Sequence, residues 1–319
     1  MSAMPTTEAL ERAMGDVLDG GGPVRVLDRR PNPLSSTFPS EIVRCVGAGG
    51  SADLLLKYDL PWTDDVYGLR IGPRYEFIVY RSVVAPSGLP APRAFGVFGD
   101  PVSCANWLAI EYLADGVRLG EAPLPEALVA AAEWIGTFHR RHEHDGAEAH
   151  ADLNRFGRER YAGCAERTLE HSAGLLELHP WLPALCDAFV ELSDDHLPAS
   201  TVIHGEFYPK NVLVRDGRVH PIDWERAALA AGEIDLAALV EGWRPEAAEL
   251  AAAAYVRARF PGEAPAGHHA ALRVARMYLH FGALGASPKA PHRPGADWRF
   301  AQLEAEARSL GLAAAGSAA

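Results

Sequence analysis

Over the first 113 residues, apolar and polar positions change over in short runs. Glu41–Val46 (EIVRCV) alternates as a half-buried strand does, Pro23–Asp28 (PVRVLD) and Leu54–Tyr58 (LLLKY) are further β-like runs, and Gly47–Ser51 (GAGGS) carries turn chemistry between the first and last of these. The spacing predicts an antiparallel meander. Ahead of it, TEALERAMGDVL predicts a helix closed by Gly20-Gly21-Gly22. Pro73 opens a second helix, RYEFIVYRSVV, which should stop before Pro86-Ser87-Gly88 because proline suits a first helical turn and not a later one. Arg93–Val97 and Trp107–Leu113 read as two more strands, and Ala114-Asp115-Gly116 reads as a linker.

From Leu124 the period changes. Helical spacing predicts helices near 124–142, 152–178, 183–196, 233–243, 245–260, 266–284 and 296–311. One β island interrupts them: 212–214 and 219–224, joined through Asp216-Gly217, a strong hairpin signal. The pattern predicts an α+β protein with a β-rich lobe over residues 1–113 and a helical lobe over 114–319. No internal repeat is visible.

Composition narrows the function. The 319 residues are 48% hydrophobic and 23% charged, a globular balance. The formal net charge of -12 argues against nucleic acid, which needs a basic surface, and leans towards a cationic small molecule. No apolar run is long enough for a membrane helix, and the N-terminus has no apolar block, so the expected location is the cytoplasm. The four cysteines form no CxxC pair and read as reduced, buried thiols. The lysines are Lys57, Lys210 and Lys289; Ser or Thr follows none of them, so no Walker-type phosphate loop exists. His139, His142 and His144 lack the HExxH order of a zinc helix and read as helix-end residues. The acids at Glu126, Glu133, Asp152 and Glu159 read as a solvated face.

The densest polar cluster is His204-Gly205-Glu206-Phe207-Tyr208-Pro209-Lys210-Asn211, followed by Val-Leu-Val. Asp223 comes twelve residues after Asn211, at the far end of the predicted hairpin. A hairpin returns its second strand to where the first began, so Glu206, Asn211 and Asp223 are expected at one end. An amide and a carboxylate are oxygen ligands that suit Mg2+, and a second carboxylate can accept a proton. Glu225, beside Asp223, could meet a cationic substrate or Mg2+, but reads rather as a solvated acid.

These residues resemble the aminoglycoside phosphotransferase and choline kinase-like family. The family's HGDxxxxN, its aspartate step and its G…DLA segment stand here as HGEFYPKN (204–211), Ile222-Asp223 and Gly232-Glu233-Ile234-Asp235-Leu236-Ala237. The resemblance spans about residues 30–245. It implies a bilobal protein-kinase-like fold, with a small β-rich N-lobe and a larger helical C-lobe, and transfer of the γ-phosphoryl group of ATP, or GTP, to a small-molecule hydroxyl. The acceptor class is open: antibiotic, sugar or amino alcohol. The resemblance further implies that Asn211 and Asp223 hold Mg2+, that Lys57 meets the phosphates with Glu76 holding it, and that Glu111, Tyr112 and Leu113 form the adenine-binding hinge. His204 and Asp235 are then braces for the catalytic loop. Lys210 is either a γ-phosphate contact or a solvent-facing loop residue.

One position departs from the family: Glu206 stands where aspartate is usual. The longer acid can still take a hydroxyl proton, since phosphoryl transfer rests mostly on positioning and electrostatics. The alternative is a nucleotide-binding pseudokinase that acts as a scaffold. A protein kinase is disfavoured, because the HRD and DFG forms are absent. The phosphate-covering loop has two candidates. GAGGS lies too close to Lys57 for a loop, a strand, a turn and a strand to fit between. Asn32–Phe38 is therefore preferred, with Ser35, Ser36 and Thr37 as donors. A dinucleotide fold would need a helix after GAGGS, where LLLKYDLP follows instead.

Overall fold

The computed structural model describes residues 4–18, 22–34, 38–47, 49–60, 69–99, 106–121, 124–143 and 150–312. The chain opens with α1 (Thr7–Leu18) and strands β1 (Arg25–Pro31), β2 (Ser40–Gly47) and β3 (Gly50–Tyr58). Next come α2 (Pro73–Val79), a π-helical turn over Tyr80–Val84 and α3 (Ala85–Ser87), then β4 (Ala94–Gly99), β5 (Asn106–Glu111) and β6 (Val117–Arg118). Then follow α4 (Pro125–His142), β7 (Asn154–Arg155), α5 (Arg158–His171), α6 (Leu182–His196) and β8 (Thr201–Ile203). The hairpin β9 (Val212–Arg215) and β10 (Arg218–Pro221) precedes β11 (Ala228–Ala230). The chain closes with α7 (Glu233–Val240), α8 (Pro245–Arg259), α9 (His268–Leu284) and α10 (Asp297–Ser309).

The chain forms two compact units that do not divide at a single point. The first holds Met1–Pro123 and Lys210–Ala227; the second holds Leu124–Pro209 and Ala228–Ala319. The predicted hairpin therefore belongs to the β-rich unit, not to the helical one that surrounds it in sequence. Hydrogen bonding to β6 explains this: the second sheet runs β10-β9-β6, and Val117 and Arg118 pair with Val214 and Leu213.

In the first unit the main sheet runs β1-β2-β3-β5-β4, antiparallel at every step. The period of two sorts its faces. Leu54, Leu56 and Tyr58 join Val43, Cys45, Trp107 and Ala109 in a core that Leu10 and Met14 of α1 cover. Lys57 points to the other face. The α2 helix runs beyond its predicted end: the π turn lets the Ala85 N–H reach the Tyr80 carbonyl, Pro86 is accommodated, and Gly88 ends the run in the left-handed region at φ 65°. The hairpin turns on Asp216 (φ 50°) and Gly217 (φ 71°), the double positive-φ geometry that Asp-Gly favours.

The second unit is built of helices around a short mixed sheet, β7-β11-β8, with β11 parallel to β7 and antiparallel to β8. The predicted helix at 152–178 instead begins at Arg158, because Asn154–Arg155 is spent on this sheet. The α7 helix is buried along its whole length. Cys45, Cys164 and Cys186 are buried free thiols. Among the described residues, no helix is long and apolar enough to cross a membrane.

Candidate active site

The first unit gathers three carboxylates around one ammonium. Lys57 Nζ lies 2.7 Å from Glu76 Oε2 and 3.9 Å from Glu225 Oε2, and it also hydrogen bonds Asp223 Oδ1. One oxygen from each of Glu76, Asp223 and Glu225 lies within 4.8 Å of the others. Burial alone would drive the proton off Lys57, but the Asp223 and Glu76 carboxylates hold its pKa well above the ordinary lysine value. Burial raises the Glu76 carboxyl; Lys57 opposes this and the Asp223 charge adds to it. Burial also lifts the hydroxyl of Tyr80, one turn further along, with Glu76 adding to the effect.

Local structure sets this arrangement. Glu76 lies in the first turn of α2, which Pro73 starts, and its side chain is fully buried. Its second oxygen accepts the Trp224 N–H at 3.2 Å, and Tyr75 Oη donates to the Ala227 carbonyl at 2.5 Å. Helix α2 is thereby fastened to the turn that carries Asp223. Asp223 itself is left-handed, at φ 71° and ψ 56°, a conformation that aspartate tolerates better than most residues. It breaks β10 and starts the 3-10 turn Trp224–Arg226, which brings Glu225 back to Lys57. Asn211 is buried at the end of the 3-10 turn Pro209–Asn211, just before β9, and its carbonyl accepts the Ile222 N–H at 2.9 Å. The hairpin thus brings Asn211 next to the residue that precedes Asp223.

At the predicted hinge, the Glu111 N–H is committed to the Arg93 carbonyl at 2.8 Å and the Tyr112 N–H to the Asp53 carbonyl at 3.0 Å. Among the described residues, Leu113 is the one of the three hinge amides whose N–H has no backbone partner. Ser35, Ser36 and Thr37 lie outside the described residues, as do His144 and Cys104.

The second unit holds Glu206 on the loop after β8. His204 and Gly205 precede it, and their backbone N–H groups donate to Asp235 Oδ2 and Oδ1 at 2.6 and 2.9 Å. Gly205 is at φ 85°, so the loop turns where a side chain would be strained. The Glu206 N–H donates to His204 Nδ1 at 3.3 Å. Phe207 is buried and stacks on Trp134 at 6.2 Å. Glu206 is half-buried and Lys210 is exposed.

The phosphotransferase enzyme family (APH) matches residues 74–273. The chain belongs to that family. This phosphotransferase has the protein-kinase-like fold of its structural neighbours. A spectinomycin phosphotransferase, APH(9)-Ia in complex with ADP and spectinomycin, superposes with a TM-score of 0.62 at 10% identity, over 96% of this chain and 95% of that one. The GDP complex of aminoglycoside 2'-phosphotransferase-IIIa superposes at 0.62 and 13% identity, over 95% and 98%. Choline kinase LicA from Streptococcus pneumoniae superposes at 0.59 and 15% identity, over 89% and 94%. No curated protein matches this phosphotransferase in sequence. The family match begins after Lys57, so the lysine's place rests on its ion pairs rather than on the match.

Sequence reasoning offered Glu225 two places, at a cation or in solvent, and preferred solvent. It is buried, and its signal was its spacing two residues after Asp223, just past the hairpin.

Proposed function

We propose that this phosphotransferase moves the γ-phosphoryl group of ATP, with GTP as the alternative donor, to a hydroxyl of a cationic small molecule. The observation that carries the reading is the single ammonium of Lys57 among three carboxylates, in a chain of this family. Three acids around one lysine leave an excess of negative charge, and hard oxygen donors with such an excess fit a divalent cation. Asp223 and Asn211 would hold Mg2+, with the acids beside them. When bound, Mg2+ would neutralise charge on the phosphate oxygens.

Lys57 then serves the phosphates, and Glu76 keeps it charged and aimed. The Leu113 N–H is the hinge donor available to the base. Glu206 takes the proton from the acceptor hydroxyl. As it does so, a bond forms between the acceptor oxygen and the γ-phosphorus, the bond from that phosphorus to the bridging oxygen breaks, and ADP leaves. Glutamate here is held by the backbone, through the His204 and Gly205 amides on Asp235 and its own N–H on His204 Nδ1. The acidic composition supports a cationic acceptor. Spectinomycin and choline, named with two structural neighbours, carry positive charge as well.

Calorimetry of ATP binding with and without Mg2+ tests the donor half. A screen of ADP release over aminocyclitols, aminoglycosides and choline tests the acceptor half. Mg2+-dependent binding followed by release with one acceptor is the expected result. Absence of nucleotide binding overturns the reading, and binding without turnover for any acceptor would make the chain a nucleotide-binding scaffold.

A further inference from the structure

The second unit contains a chain of buried side chains that ends on the catalytic loop and that the proposed chemistry does not use. Arg259 Nη1 donates to Tyr255 Oη at 2.7 Å. Tyr255 Oη lies 3.0 Å from His139 Nδ1, and His139 Nε2 lies 3.1 Å from Asp235 Oδ2. Asp235 then receives the two amides that precede Glu206. His139, Asp235 and Tyr255 are fully buried, and Arg259 is nearly so.

The chemistry of the donors gives this chain a direction. A guanidinium can only donate, so the Tyr255 oxygen is an acceptor towards Arg259. The one phenolic proton is then free to go to His139 Nδ1, which must be unprotonated to receive it. The imidazole proton therefore sits on Nε2, where Asp235 accepts it. The reverse tautomer would set the bare Nε2 against a carboxylate oxygen. A doubly protonated ring would leave the Tyr255 proton without an acceptor. Burial also lowers the His139 pKa, against the pull of Asp235, and keeps the ring neutral. Arg259 is fixed in turn by Glu233 at 3.0 Å, and His268 Nδ1 meets the same oxygen of Glu233 at 2.9 Å.

A second observation points the same way. Gly232, just before α7, has an ordinary helical backbone at φ −63°, so its conformation does not call for glycine. Space does. A Cβ there would lie 2.6 Å from both Arg259 Nη1 and His139 Nδ1, and 2.8 Å from Tyr255 Oη. The glycine of the G…DLA segment is the gap through which these side chains meet.

We propose that Arg259, Tyr255 and His139 form a one-way hydrogen-bond relay that locks the His139 Nε2–H tautomer and so positions the catalytic loop through Asp235. They are positioning residues, and the effect on turnover rests on the reading of Glu206 as proton acceptor. Aligned hydrogen bonds in a buried site reinforce one another, so loss of an early member weakens the last.

The test compares wild type with Tyr255→Phe, which deletes one hydroxyl, and with Gly232→Ala, which crowds the meeting point. Nitrogen-15 NMR of labelled histidine should report the Nε2–H tautomer at His139 in wild type and a mixture in Tyr255→Phe. Amide exchange at His204 and Gly205 should accelerate in both variants. With an acceptor from the ADP-release screen, kcat should fall about ten- to a hundredfold, the range seen when an orienting hydrogen bond behind a functional group is removed, while KM for ATP stays within about twofold. An Nδ1–H or doubly protonated His139, or unchanged exchange at both amides, overturns the relay even in a chain that shows no turnover. Unchanged kcat in a chain that does turn over overturns the positioning role. A chain without turnover but with the expected tautomer and exchange supports the relay and sinks only the assignment of Glu206.

Discussion

Two buried glutamates show how differently the two units treat charge. Glu76 in the first unit has its carboxyl pushed up by burial, with Asp223 adding to the effect against the pull of Lys57. Burial also acts on Glu233 in the second unit, yet the His268 hydrogen bond and the Arg259 charge outweigh it and bring the carboxyl down to about 2. Glu76 shares one lysine with two other acids. Glu233 has a guanidinium and an imidazole aimed at one of its oxygens. A cluster crowded with acids is prepared to gain positive charge, as a binding site must be. A satisfied cluster is prepared to keep its shape. The first should govern turnover and the second stability.

The largest expected effect tests the first half of that contrast. Asp223→Asn should lower turnover by a factor on the order of a thousand, comparable to removing a principal electrostatic group from an active site. The melting temperature should hold or rise, because a like-charged neighbour of Glu76 is gone. Steady-state kinetics beside a thermal melt would decide it, and full activity would break the assignment. Glu233→Gln should do the reverse, costing about 3 kcal/mol in a denaturant titration because Arg259 loses its best buried partner. KM for the nucleotide should stay put.

The pH dependence sharpens the same point. The Glu233 carboxyl titrates at about 2 when folded against an ordinary 4.5, so its stabilisation is full above pH 4.5 and is lost as the pH falls towards 2. His280 is held at about 4 against 6.5, by burial first and then by Arg299 and Arg276. The unfolded chain therefore takes up that proton first, and stability also declines from pH 6.5 to about 4. Glu233→Gln should flatten the lower part of the acid limb, and His280→Gln the upper part, in melts recorded across this range. The smallest effect concerns Glu225, which stands 3.9 Å from Lys57, further than its companions. Glu225→Gln should reduce turnover about tenfold, equivalent to about 1.4 kcal/mol of barrier, with a small rise in melting temperature.

What could be read from the sequence follows from how local each signal is. The strands around Lys57 announced themselves because Glu41–Val46 alternates, GAGGS turns the chain and a short apolar run follows, and the Asp216-Gly217 turn because its backbone demands those residues. The HGEFYPKN, Ile222-Asp223 and Gly232–Ala237 segments carried the family. Strands β7, β8 and β11 stayed hidden, since two or three residues are too few to display a period. Helix α2 ran past its expected end because a π turn cannot be inferred from proline chemistry alone. Tyr255 and Arg259 sit in an alanine-rich helix where nothing marks them apart from ordinary polar positions. Their partners lie on α4 and α7, more than fifteen residues away, and such a relation exists only after folding.

The path of the chain through the two units also sets an order of manufacture. The first unit takes back residues 210–227 after only the first segment of the second, Leu124–Pro209, has been spelled out. On a ribosome, the unit that carries Lys57 can therefore not be completed by the segment with Asn211 and Asp223 until residue 227 has emerged. By then α4, α5 and α6 have already been made and await β11 and α7. A product truncated anywhere before residue 210 retains the lysine without the acids of the hairpin. Neither unit can be excised as one uninterrupted fragment, so any single cut at a border between them leaves at least one unit divided between the two pieces.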